Sequence, residues 1–405
     1  MRQRLNGAAL LSACLLAALL LQPFPCIAGV SAPDPFGRAE SAEIDRLVRD
    51  VCRKDVVMLG EDASHGGART FEVKIEIMKR LVSRCGFGGV LFESQLYDLL
   101  DVEHAVRDRS ATPQQLAGAI GALWSRADTS KPLIDYLYRE TTAGRLRIGG
   151  IDPQVGGVMG TYSKTRLGNV LAAPLDDARR AACTSTLDTH NGWRYDEAHP
   201  FDAAARLQLR ACIDDIRTAI ASRGLAPDSE IAAMAAAYAR YLDMALGGDG
   251  NLRDVGMYEN LRWHRARWPQ GTRLIVWCAT VHAAKRLDGL AVDMTPMGAY
   301  VHAAYGTRAA VIGFSALGGT FGNPGAAGEP NALGASLPHS LEAVALGGSG
   351  GENMGLRYID HKRLKRLGTI AARPINYRKL HAAPWADVLD GLVVIREERA
   401  IKPAH

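Results

Sequence analysis

Six short apolar runs limit how this chain can fold: residues 56–59, 89–92, 146–151, 274–278, 309–314 and 391–395. Each is too short for a stable helix. Apart from Arg147 in the third, each is apolar at successive positions, as in a strand covered on both faces. Between them lie helical patterns. Phe71, Ile75, Met78 and Val82 recur at helical spacing after the first run, and Gly86 ends that pattern. Further helices are expected over 44–51, 102–106, 113–123 and 132–142, whereas from about 165 to 265 no strand pattern occurs. Alanine-rich amphipathic stretches fill that interval, at 176–187, 203–222 and 228–246. Strands separated by helices give an α/β fold: a largely parallel central sheet flanked by helices, with an α-helical insertion at about 165–250. Residues 316–351, rich in glycine with Pro324, Pro330 and Pro338, read as a long loop.

The N-terminus belongs to a different regime. Arg2 and Arg4 precede an apolar run over 8–21 broken only by Ser12, too short to span a bilayer and suited to a secretory signal peptide. Cys26-Ile27-Ala28 supplies small residues for cleavage after Ala28, so 1–28 is read as signal peptide and 29–405 as one α/β domain. The expected location is periplasmic or secreted. With 48 Lys+Arg against 43 Asp+Glu, the net charge of +5 is too small and scattered to favour nucleic acid or an anionic membrane surface. The expected partner is a small-molecule substrate.

Seven cysteines become five once Cys14 and Cys26 are removed. An exported chain with an odd set suggests two bridges and one leftover thiol. Cys52 precedes the first run and Cys85 ends the helix before the second, which places both at one edge of a parallel sheet. Cys183 and Cys212 fall in successive helices, as in a hairpin. Cys278, inside an apolar run, reads as a buried thiol. No Cys-x-x-Cys is present.

In parallel sheets ligands bind outside the carboxyl ends of the strands. His65, Glu93, Asp152 and His282 each fall at the end of a different run, which points to a site there. Other chemistries lack their motifs. There is no phosphate loop, no Gly-x-Gly-x-x-Gly fingerprint and no His-Glu-x-x-His. Gly347-Gly348-Ser349-Gly350-Gly351 fits Gly-x-Ser-x-Gly in letters but lacks the strand and helix that a nucleophile elbow needs.

Gly60-Glu61, His65-Gly66, the helix bearing Phe71, Glu72 and Lys74, and Leu91-Phe92-Glu93 together resemble the opening of the erythromycin esterase family. The similarity continues through Pro132-Leu133-Ile134-Asp135-Tyr136-Leu137, Gly150-Ile151-Asp152, Arg253-Asp254 with Met257 and Asn260, Val276-Trp277 to His282, Met297-Gly298 and Gly313-Phe314. It spans about 50–315. Two positions depart from the family pattern. Glu61 stands four residues before His65, where the family has three, which leaves the direction of its carboxylate open. The first histidine of the family's Trp-Ala-His-Asn-x-His falls on Ala279 and the asparagine on Thr280, so only His282 remains.

The resemblance implies a non-serine hydrolase of ester or lactone bonds. His65 has the unperturbed pKa range for a base near neutral pH. It is expected to deprotonate a water, with Glu93 orienting its ring and Glu61 beside it. Lys74 and Arg253 are expected to stabilise an oxyanion, Asp152 to bind substrate and His282 to protonate the leaving oxygen. The glycines after His65 are expected to admit a ligand to the backbone, and the following helix N-terminus to favour a neutral ring. No cofactor is needed for this scheme. Glu61, His65, Glu93 and His282 form an alternative ligand set for a divalent metal. A binding protein for a small molecule or haem-like ligand, with turnover lost, is the non-enzyme alternative. The helical insertion is expected to cover the carboxyl edge and form one wall of the cleft.

Overall fold

A computed structural model describes residues 35–156, 161–290, 293–322, 329–347 and 354–402. The expected signal peptide and its cleavage point lie outside these residues, as does the core of the Gly-x-Ser-x-Gly match. Ten strands are defined among them: β1 (Val56–Leu59), β2 (Gly89–Gln95), β3 (Arg147–Asp152), β4 (Leu274–Trp277), β5 (Ala309–Phe321), β6 (Asn331–Ala332), β7 (Leu356–Asp360), β8 (Thr369–Ala372), β9 (His381–Pro384) and β10 (Gly391–Glu398). The main sheet runs β3-β2-β4-β1-β5-β10-β7, and β6 pairs with β5. All pairings from β3 to β10 along this path are parallel. Edge strand β7 is antiparallel to β10, β6 is antiparallel to β5, and β8 and β9 form a separate antiparallel pair.

The six apolar runs are therefore the parallel strands. β1 and β4 are buried at every residue. One face of the sheet packs against helices Arg38–Val51 and Ala68–Cys85 through Leu47, Phe71, Ile77 and Met78. The other packs against Met257, Leu261, Met297 and Trp385. Burial on both faces explains why these runs lack the alternation of a half-exposed strand. The stretch read as a loop after Phe314 differs from expectation. β5 continues to Phe321, and a helix forms over Leu341–Leu346. Four backbone pairings with β10 beyond Phe314, at Ser315, Ala316, Gly318 and Gly319, extend β5, to which its glycine-rich sequence gives no clue.

The helical insertion has its own core. Leu187, Leu209, Ile213, Ile216 and Tyr238 pack together and onto Leu96, Tyr97 and Leu100 of helix Leu96–Arg107. Cys52 and Cys85 lie at disulfide distance, with Cα atoms 5.3 Å apart, and so do Cys183 and Cys212 at 5.4 Å. Cys278 is a buried free thiol. Among the described residues no helix is long and apolar enough to cross a membrane.

Candidate active site

Leu59, Trp277, Phe92 and Gly150 form one row across β1, β4, β2 and β3. The polar residues lie just beyond that row. Glu61 lies two residues past it, beyond the end of β1, and Asp152 two past it on β3. Glu93 is one residue past it, still within β2, where the register with β3 shifts between Phe92 and Gln95. Such irregularities re-aim a side chain at a sheet rim. His282 lies in the turn of helix that follows β4.

Glu61 is the hub of the first group. Its carboxylate accepts from Lys74 Nζ at 2.9 Å and from the Trp124 indole at 2.7 Å, and meets His65 Nδ1 at 2.7 Å. The extra residue in the turn does not turn it away. Asp62 folds that residue into a side-chain turn by accepting from the Ser64 amide at 2.9 Å, and His65 N–H donates to the Asp62 carbonyl. His65 takes a φ of 55°, rare for a residue with a side chain and found where the surroundings impose it. Its ring is nearly buried and meets Trp124 edge to face at 5.2 Å. Nε2 of His65 has no hydrogen-bond partner among the described residues.

Several expectations change here. Glu61, not Glu93, orients the His65 ring. Lys74 does not face a cleft. It is 0% exposed, lies 4.3 Å over the Trp277 ring and is spent on Glu61. Gly66 and Gly67 serve packing instead of ligand approach. A Cβ on Gly66 would strike the Gly322 carbonyl, and one on Gly67 would come 2.7 Å from the Glu398 carboxylate. That carboxylate accepts from the amides of Arg69 and Thr70 and from the Thr70 hydroxyl, and Tyr377 also donates to it. Glu398 thus caps helix Ala68–Cys85, and its charge takes up the helix N-terminus expected to act on His65.

Arg253 is the hub of the second group. Its guanidinium donates to Glu93 at 2.9 Å and to Asp152 at 2.7 Å, and lies 2.9 Å from His282 Nε2. Glu93 also accepts the Ala279 amide at 2.8 Å, so the backbone of the position lacking the family histidine is used here. His282 Nδ1 is held by Asp254 at 3.0 Å, and Asp254 accepts the Met297 amide. Nε2 of His282 is 3.3 Å from Glu93. A neutral ring accepts from Arg253 there, and a protonated one donates to Glu93.

The charges shift one another. Burial pushes Glu93 up, but the charges of His282, His65 and Arg253 outweigh it and bring its carboxyl down to about 2. Burial pushes His65 down, yet the Glu61 hydrogen bond and the charges of Glu93 and Glu61 leave its pKa raised. His282 is raised as well, against burial, by Glu93 and Asp254. Lys74 is lowered by burial despite Glu61. Among the described residues no three His, Cys, Asp or Glu side chains are arranged to hold a metal ion.

A cleft of about 320 Å³ opens over this edge. Glu93, Asp152 and Arg253 are on its floor, and the segment from Gly118 to Trp124 forms an apolar wall. The helical insertion contributes no lining residue between 165 and 250, so the expected wall comes instead from this segment and from Gln154, Val155 and Gly156. Sequence reasoning missed Trp124, Glu398 and Tyr377. Trp124 falls in no motif, and Glu398 and Tyr377 act across the fold. Asp254, beside Arg253 in the family pattern, was the one signal available.

The fold recurs in solved structures. A Bacillus cereus protein aligns over 89% of this chain and 93% of its own at 18% identity and a TM-score of 0.69. A protein described as a succinoglycan biosynthesis protein aligns at 14% identity, 88% and 91% coverage and a TM-score of 0.66. A mutant erythromycin esterase in its open conformation aligns at 15% identity, 90% and 95% coverage and a TM-score of 0.64. No curated protein matches in sequence. The erythromycin esterase family profile matches residues 82–397, which is most of the chain. With that match over most of its length, the chain belongs to the erythromycin esterase family, a family of hydrolases.

Proposed function

We propose that the protein is an exported hydrolase that cleaves an ester or lactone, with His65 as the base that activates water. One contrast carries this reading. His65 is held through Nδ1 and leaves Nε2 free, whereas both ring nitrogens of His282 are engaged. Glu61, kept ionised by Lys74, holds the proton on Nδ1 of His65 and the lone pair on Nε2. Nε2 takes a proton from water as the water oxygen bonds to the carbonyl carbon. Glu61 and Glu93 stabilise the imidazolium. Arg253 is the cation among the residues lining the cleft and faces the developing oxyanion. The carbon–oxygen bond then breaks, and His282, steadied by Asp254, supplies the proton to the leaving oxygen. Asp152 positions Arg253.

Export is supported by the apolar run ahead of Ala28 and by two cysteine pairs at disulfide distance. An ester and lactone panel, run on wild type and His65→Ala, tests the hydrolase reading. Turnover of at least one substrate, lost in His65→Ala, is expected. No turnover together with a co-purifying chromophore replaces the reading with ligand binding.

A further inference from the structure

We propose that Trp124 is a specificity-determining residue: its indole stands between the cleft and His65 and confines hydrolysis to esters with a compact acyl group. The limit on the acyl group rests on the hydrolase reading; the separation of cleft from base does not. Trp124 belongs to both sides. It lines the cleft together with Ile120 and Leu123. Its ring also meets the His65 ring edge to face at 5.2 Å and lies 6.3 Å from Phe92. His65 is not among the residues that line the cleft. It borders a separate crevice with Gly67, Thr70 and Tyr377, in which there is no room for a water molecule. Among the described residues the base is therefore closed on that side, and a solute reaches it from the cleft, past the indole. Glu93 agrees with that direction, because it lines the cleft and its charge acts on His65.

The indole is a fixed wall. Its Nε1 donates to Glu61 at 2.7 Å, to the same oxygen that meets His65 Nδ1. Ahead of it the chain is tied down where Ser94, next to Glu93, donates to the Ile120 carbonyl at 2.5 Å. Beyond it the Asp128 amide donates to the Lys402 carbonyl at 2.8 Å. Between helices Pro113–Ile120 and Ala122–Ser125 the chain turns at Gly121, with φ 95° and ψ 162°. A Cβ there would meet nothing within 4 Å, so glycine is required by the conformation and not by space. The turn carries Trp124 inward, where it is 1% exposed. A ring bonded to the carboxylate that orients the base, and also facing the cleft, has a place that core packing alone does not require.

The order of groups at the site assigns the part of the substrate that meets this wall. Arg253 faces the oxyanion and His282 serves the leaving oxygen, so the alcohol extends toward His282. The acyl group leaves the carbonyl carbon in another direction, toward the segment that ends in Trp124. At about 320 Å³ the cleft is at the small end of the range for ligand sites, roughly 300–1,000 Å³. Against a fixed apolar wall, one methylene without room changes kcat/KM by about 10- to 200-fold.

Two readouts test this, and one needs no turnover. Carbethoxylation of His65 by diethyl pyrocarbonate, followed by peptide mapping, reports whether the ring can be reached, with the exposed His199 as reference. Trp124→Ala should speed modification of His65 by at least about tenfold, as expected when access no longer waits on local opening. Trp124→Leu, which keeps the segment apolar and guards against loss of the fold, should speed it less. His199 should react equally in all three proteins. The second readout compares 4-nitrophenyl acetate with 4-nitrophenyl octanoate. Every Trp124 variant forfeits the hydrogen bond to Glu61 and should lose kcat on both esters. The ratio of kcat/KM for octanoate over acetate should nonetheless rise at least about tenfold in Trp124→Ala and stay near wild type in Trp124→Phe, which keeps a ring. A side chain that merely filled the core would move stability and not this ratio. The proposal is overturned if His65 reacts as fast in wild type as in Trp124→Ala and Trp124→Leu, or if the ester ratio does not change. It is also overturned if wild type hydrolyses erythromycin, whose acyl side is the macrocycle itself. Faster modification of His65 in Trp124→Ala, in a protein that hydrolyses no ester, would sink the hydrolase reading and leave the partition standing. Unchanged modification alongside hydrolysis of both esters would do the reverse.

Discussion

His65 and His282 look equivalent in the sequence, as histidines at the ends of two strands, and their hydrogen bonds separate them. Removing the base at His65 should lower kcat/KM by about 100- to 10,000-fold, whereas His282→Ala should retain measurable turnover and mainly alter the alkaline side of the pH profile. Steady-state kinetics on a substrate found in the panel decides. The base assignment falls if His282→Ala is the dead variant and His65→Ala remains near wild type. The pH dependence follows from the direction of the His65 shift. A base must be deprotonated to act, and a pKa raised above its ordinary 6.5 places the rising limb above that pH. Glu61→Gln removes one source of that rise while its amide oxygen can still accept from Nδ1. The limb should move to lower pH and kcat should fall. A limb that stays in place would show that Glu61 does not set the titration of His65.

At the level of elements, one helix shows how the site is braced from a distance. Glu398, at the end of β10, caps helix Ala68–Cys85, and that helix carries Lys74 to Glu61. Glu398→Ala leaves buried amide donors without an acceptor and should destabilise by about 1–3 kcal/mol, read as a lower urea midpoint. Gly66→Ala would force apart the close approach to Gly322 and should cost about 1–3 kcal/mol by overpacking. Unchanged stability in both would mean that the turn bearing His65 is not clamped between the ends of β5 and β10. The wall of the cleft belongs to this scale too. It is the short segment around Trp124, which has no periodicity or motif to announce it, that encloses the site, while the long insertion builds a core of its own.

Across the whole molecule, charge and covalent links set the conditions of stability. Glu93, brought from 4.5 to about 2, stabilises the fold above its ordinary value, and that contribution is lost as pH falls from 4.5 toward 2. His65 and His282, raised above 6.5, act oppositely, stabilising below 6.5 and losing that contribution as pH rises through their folded values. Both contributions coexist between 4.5 and 6.5, where the unfolding midpoint should be highest; a Glu93→Gln variant should lose the acid-side dependence. The cysteine pairs close loops with separations of 33 and 29 residues. Each link, by the chain-entropy estimate, contributes about 3–4 kcal/mol. Peptide mapping of exported protein should find 52–85 and 183–212 bonded and Cys278 reduced. All five thiols reduced would refute both links and the export they support. Dialysis against a chelator should leave hydrolysis unchanged; loss that is restored by a divalent ion would turn the reading to a metal-dependent hydrolase.

The apolar runs by themselves determined the parallel sheet, because strands buried on both faces must be apolar at successive positions, and the α/β alternation fixed which edge would carry the site. His65, Glu93, Asp152 and His282 were legible for that reason, Glu61 and Arg253 through the family resemblance, while the 52–85 pairing followed from the strand order and the 183–212 pairing from two successive helices. What each residue does there was left to tertiary structure. Lys74 reads as a cation for the cleft until the helix bearing it packs against Trp277 and turns the ammonium onto Glu61. Glu398 and Tyr377 reach the His65 turn only because β10 lies beside β5 and the segment after β8 folds back to Asp62. Partner choice among buried charges depends on which groups are desolvated together, and desolvation is a property of the assembled fold, not of spacing along the chain.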